Sequence, residues 1–158
     1  MKIHKILVPV DGSAASFAAF QWACELAQTF GAQLHMVYMV HVRWENSGIG
    51  RMPISGSTEE SDARKEGLRV IKEFSGHAPS DIQPIQLIAV GPPAEGIVHL
   101  AHSIGVDLII MGNRGLGMVK GLAFGSVFSY VLKHANCPVL VTKEKIQKEN
   151  PVCWKINE

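Results

Sequence analysis

At 158 residues, with 47% hydrophobic and 18% charged side chains, the chain has the size and balance of one soluble globular domain around a single sizeable core. Fifteen basic against fourteen acidic residues leave a net charge of +1, which excludes an overall field suited to nucleic acid or anionic membrane, though not a local basic patch. No window approaches the roughly 18 apolar residues of a spanning helix, and the N-terminus has neither the h-region nor the cleavage site of a secretory signal. Three scattered cysteines, Cys24, Cys137 and Cys153, read as reduced thiols of a cytoplasmic protein.

Ile3 to Val10 is a short run rich in Ile, Leu and Val, ended by Asp11-Gly12-Ser13, the pattern of a parallel strand covered on both faces. Ser13 is placed to cap a helix whose inner stripe carries Ala15, Ala19, Trp22, Ala23, Leu26 and Ala27, with Gly31 as its stop. Gln33 to Val40 is a second strand. Arg43 to Gly56, rich in Gly, Asn, Ser and Pro, has no sustained period and predicts an exposed, mobile connection. Ser57-Thr58-Glu59-Glu60 has the form of a capping box before a second helix lined by Ala63, Gly67, Val70, Ile71 and Phe74. Ile85 to Val90 is a third strand, entered through Pro84. Pro92 and Pro93 open a third helix with the stripe Ile97, Val98, Ala101 and Ile104, closed by Gly105. Val106 to Met111 is a fourth strand, Ser126 to about Ala135 a fourth helix, and Val139 to Thr142 a last strand after Cys137-Pro138. Five strands alternating with four helices predict an α/β fold: an open five-stranded parallel sheet with helices on both faces. The domain spans 1–143, and 144–158 form a polar C-terminal tail that Trp154 is placed to anchor.

In such sheets ligands bind at the carboxyl ends of the strands, where the strand order reverses. The richest segment at that edge runs from Gly112 to Val127. Its glycines let backbone amides approach a phosphate, and Gly125-Ser126 opens a helix whose N-terminus favours an anion. The Ser126 hydroxyl adds a donor, and Arg114 and Lys120 add positive charge. Asp11 reads either as a helix-capping residue or as a carboxylate for ribose hydroxyls or Mg²⁺, and the sequence leaves both open. Backbone groups around Met39 are placed to pair with an adenine edge. A P-loop GxxxxGK[ST] is absent, and Asp-Gly-Ser stands where a dinucleotide GxGxxG belongs.

Several segments together resemble the universal stress protein family over about Lys2 to Lys143. They are Lys5-Ile6-Leu7-Val8-Pro9-Val10-Asp11-Gly12-Ser13, Pro93-Ala94-Glu95-Gly96-Ile97, Asp107-Leu108-Ile109-Ile110-Met111-Gly112 and Cys137-Pro138-Val139-Leu140-Val141. The spacing G-x2-G-x9-G-[S/T] of the family's ATP-binding subgroup is matched by Gly112, Gly115 and Gly125-Ser126. The resemblance implies a Rossmann-like fold of the adenine nucleotide alpha hydrolase-like type. It further implies a stress-response protein that binds ATP, or AMP or ADP, with Mg²⁺. Pro9, Val10 and Asp11 would then line the adenosine side, with Asp11 reaching Mg²⁺ through the nucleotide, and Met39 would meet adenine through its backbone. Gly112, Asn113, Arg114, Gly115, Leu116, Gly117 and Met118 would wrap ribose and phosphates, and Gly125, Ser126 and Val127 would complete the phosphate site. A homodimer through strand 139–142 and an unknown regulated protein are the implied partners.

Other chemistries find less in the sequence. His99 and His102 stand three apart on a predicted helix, but no Cys, Asp or Glu completes a ligand set, so they read as surface histidines. Cys24 and Cys137 read as packed residues rather than nucleophiles. GxSxG is absent and no Ser, His and Asp align as a triad. No general base stands out beside the glycine loop, so a regulator is expected rather than an enzyme, with at most slow ATP hydrolysis or autophosphorylation at Ser126. The alternatives are an ATPase or nucleotidyl transferase on the same sheet, and a family member that has lost the ligand.

Overall fold

The computed structural model describes residues 2–41, 44–47, 50–53, 58–113 and 125–143. The chain runs through β1 (Lys5–Val10), α1 (Ala14–Phe30), β2 (Gln33–Val40), β3 (Trp44–Ser47), β4 (Gly50–Pro53), α2 (Thr58–Ser75), β5 (Ile85–Val90), α3 (Pro93–Ile104), β6 (Leu108–Gly112), α4 (Ser126–His134) and β7 (Val139–Thr142). Five strands form one parallel sheet in the order β5-β2-β1-β6-β7, the fold expected from the alternation of strands and helices.

Side chains that alternate along the strands explain why both faces are covered. On one face Ile6, Val8, Leu34, Met36 and Ile110 are buried against Ala19, Phe20 and Ala23 of α1 and Val70, Ile71 and Phe74 of α2. On the other, Leu7, Val37, Ile109 and Met111 are buried against Ile97 and Ala101 of α3 and Phe128 and Val131 of α4. Each such large apolar side chain contributes about 1.5–3 kcal/mol on burial. An uninterrupted apolar strand is therefore the stable choice only in the middle of a doubly covered sheet.

Two expectations change. Trp22, placed on the inner stripe of the first helix, is 51% exposed, while Phe20 and Cys24 are buried instead. The buried row is Ala15, Ser16, Ala19, Phe20, Ala23, Cys24 and Ala27, and at about 100° per residue position 22 falls well to one side of it. The segment Arg43 to Gly56, expected to be an exposed, mobile connection, contains β3 and β4, paired antiparallel with Trp44 opposite Pro53 and Ser47 opposite Gly50. Its glycines and proline, and the lack of apolar alternation in the sequence, hid the ladder.

Candidate functional site at the carboxyl edge

From β1 the chain moves outward to β2 and β5 on one side, then crosses to β6 and β7 on the other. The connections after β1 and β6 therefore diverge, which opens a crevice at the carboxyl ends of these two strands. Pro9, Val10 and Asp11 end β1 at this edge, and Gly112 and Asn113 end β6. The start of α4 is tied to the same place, because the Gly125 N–H donates to the Asn113 carbonyl at 3.2 Å. Asn113 in turn donates its N–H to the Thr142 carbonyl of β7 at 3.1 Å. Residues 112, 113, 125, 126 and 127 are thus gathered at one point. Arg114, Gly115, Leu116, Gly117, Met118 and Lys120 lie outside the described residues.

Of the helix N-termini at this edge, those of α1 and α4 flank the switch point. At α1, Ser13 is the N-cap and its Oγ accepts from the Ser16 N–H at 3.1 Å. Asp11 Oδ1 holds Ser13 in turn, accepting from its N–H at 3.0 Å and its hydroxyl at 2.6 Å. The cap itself is Ser13, and Asp11 braces that serine through this oxygen instead of capping the helix directly. At α4 the N-cap is Gly125, with φ −73° and ψ 155°, and no side chain caps the first turn. Among the described residues, a Cβ built on Gly125 would meet nothing closer than the Asn113 carbonyl oxygen at 4.0 Å. Neither backbone strain nor packing against those residues requires glycine there. Among them nothing covers the first-turn amides and the positive end of the helix dipole, which favour an anion. Ser126 is exposed beside it, while Val127 packs partly into the core beneath α3 and α4.

Gly112 differs. A Cβ there would lie 2.8–2.9 Å from the carbonyl carbon, oxygen and Cβ of Ala15. The first turn of α1 rests directly on the end of β6, so this glycine is demanded by packing.

Residues missed in the sequence also reach this edge. Tyr38 stands opposite Val10 in the sheet and lies over Gly67, whose Cβ would come within 2.6 Å of its ring. Burial, then the carboxylates of Glu66 and Asp11, push its phenol above the ordinary range. Thr142, 5% exposed, has a hydroxyl without a hydrogen-bond partner among the described residues. Neither residue type stands out inside an apolar strand, so only the register draws attention to them.

The thiols are chemically quiet. Burial, reinforced by Glu25, raises Cys24 to about 11, and burial also raises Cys137, so both stay protonated near neutrality. His99 and His102 are exposed, and among the described residues no group of three or more His, Cys, Asp or Glu could hold a metal. Among the same residues no helix is long and apolar enough to cross a membrane.

A doubly wound parallel sheet with a ligand crevice at its switch point defines a class of α/β binding folds. The universal stress protein family model matches residues 2–143, and the chain belongs to that family. It is 34% identical over 145 residues to the universal stress protein MJ0531 of Methanocaldococcus jannaschii, covering 89% of this chain and 82% of that one. Its fold is similar to that of UspA from Lactobacillus plantarum, with a TM-score of 0.70 and 28% identity over 89% of this chain and 98% of the other. A more distant universal stress protein from Arabidopsis thaliana, solved with AMP bound, shares the fold at a TM-score of 0.62 and 22% identity. That match covers 94% of this chain and 97% of the other.

Proposed function

We propose that this chain is an ATP-binding regulatory protein that acts through protein contacts, with AMP or ADP as alternative ligands. The observation that carries the reading is the uncapped start of α4: a glycine that the fold does not need, at the carboxyl edge, with open amides before it. The G-x2-G-x9-G-S spacing from Gly112 to Ser126 and the AMP carried by a protein of the same fold add support. In this reading Pro9, Val10, Asp11 and the Met39 backbone meet the adenosine half. Residues 112–118 and 125–127 meet the ribose and phosphates.

Mg²⁺ fits as an ion brought by the phosphates, because Asp11 Oδ1 is already engaged by Ser13 and among the described residues no cage of ligands surrounds it. Bound nucleotide would regulate by favouring one arrangement of the edge over another in contact with a partner. Strand β7 presents the half-buried apolar residues Val139, Leu140 and Val141 at an edge of the sheet, which suits a homodimer through 139–142. The same reading makes 1–143 the working domain and 144–158 an appended polar tail, in a cytoplasmic protein.

Mass analysis of small molecules released from the purified protein tests this, and is expected to yield an adenine nucleotide. Added ATP and Mg²⁺ at 100-fold over Kd should stabilise the fold by about 2.7 kcal/mol. Turnover of labelled ATP is expected well below the roughly 1 s⁻¹ that marks the slow end of ordinary enzymes. No released nucleotide and no thermal shift would point to a family member without ligand. Rapid turnover would point to an enzyme.

A further inference from the structure

Tyr38 and Met39 occupy successive positions near the carboxyl end of β2, so their side chains leave opposite faces of the sheet, and each meets a helical glycine, Gly67 within α2 and Gly96 in the first turn of α3. Tyr38 lies on Gly67 of α2. Met39 lies on Gly96 of α3, where an added Cβ would overlap the Met39 methyl and come within 3.4 Å of its sulfur. Gly96 is not among the positive-φ glycines, and its N–H closes a helical hydrogen bond to Pro92 at 2.9 Å. Alanine would suit that backbone better, so the missing side chain serves space and not conformation.

The two pairs answer an added methyl group differently. The Tyr38 ring is stiff, and Gly67→Ala must move strand or helix. The methyl of Met39 is the free end of a flexible thioether and can retreat. Val37 and Ile97, 0% and 2% exposed, belong to the buried cluster against which Met39 packs, whereas Met39 is itself only partly buried and stands next to last in β2, at the carboxyl edge. A methyl displaced from α3 cannot enter that filled cluster and moves instead toward the edge where the Met39 backbone is proposed to meet adenine.

We infer that Gly96 is a positioning residue of the nucleotide site: it berths the Met39 side chain against α3 and so keeps the base end of the crevice open. This rests on the adenine-nucleotide reading given above. The test compares wild type, Gly96→Ala and the double variant Gly96→Ala/Met39→Val in titrations with ATP and with AMP, alongside melting curves. Gly96→Ala is expected to melt at or above the wild-type temperature yet bind both nucleotides about tenfold more weakly, by the same factor, because the loss is at the shared base end. Shortening the side chain in the double variant should recover affinity to within about threefold of wild type. A wild type that takes neither nucleotide overturns the site reading and this inference with it. A wild type that binds while Gly96→Ala binds equally well, or a loss that Met39→Val fails to rescue, overturns this inference alone.

Discussion

Of the helices that begin at the carboxyl edge, α1 and α4 flank its switch point, and their first turns are finished differently. At α1, Ser13 caps the turn and Asp11 locks Ser13 in place, so the chain itself satisfies the Ser16 amide. At α4, Gly125 supplies nothing. A capping Ser or Asp in place of glycine is worth only about a few tenths of a kcal/mol, and the described residues around position 125 would accommodate one. The bare start of α4 beside the self-capped start of α1 fits the proposal that an anion from outside the chain meets α4.

The strongest way to break this contrast is to finish α4 as α1 is finished. Gly125→Asp should raise stability slightly, by about a few tenths of a kcal/mol through capping, and weaken ATP binding by more than about 100-fold, since the carboxylate takes the amides and repels the phosphates. Calorimetric titration beside chemical denaturation reads both. Retained affinity would show that the phosphates lie elsewhere. The converse change, Ser13→Ala, should cost about 1 kcal/mol in a urea melt and alter ATP affinity by less than about threefold. A large affinity loss there would erase the distinction between the two helices.

A smaller effect comes from the opposite edge, where β2 begins. His35 is 6% exposed, and its Nδ1 has no partner among the described residues. Burial and the nearby Lys5 ammonium lower its pKa below the usual 6.5, with backbone groups of Gln33 and Ile6 pulling partly the other way. The unfolded chain then binds the proton more readily, so stability is complete above pH 6.5 and falls as the medium is acidified below it. The slope is at most about 1.4 kcal/mol per pH unit, the value of one proton. His35→Leu should flatten this component in denaturation curves taken across pH 5 to 7 and leave the contrast between α1 and α4 untouched. A slope unchanged in the variant would assign it to other groups.

Much of this architecture was legible because the central strands are covered on both sides. Ile6-Leu7-Val8 and Leu108-Ile109-Ile110 can be little else than inner strands, and Ser13, Gly31 and Gly105 mark helix ends by chemistry that acts locally. Trp22 was misread because apolarity drew it into the stripe, although the buried row of 15, 16, 19, 20, 23, 24 and 27 lies to one side of it on the helix. β3 and β4 were hidden because their residues do not alternate. At the site, Gly125 and Ser126 could be found from their spacing. Tyr38, Gly96 and Thr142 could not, since their significance depends on which strand and helix lie beside them.

The seat of α1 on Gly112 changes how the glycine spacing should be weighed. A paralogue with this helix packing would have to keep glycine at 112 after losing every interest in nucleotides, because any larger residue would drive two layers of the domain apart. That position records architecture, and the vestige would outlive the trade. Of the described glycines in that spacing, the one at 125, which the described scaffold could replace without injury, is where the proposed ligand would leave its mark.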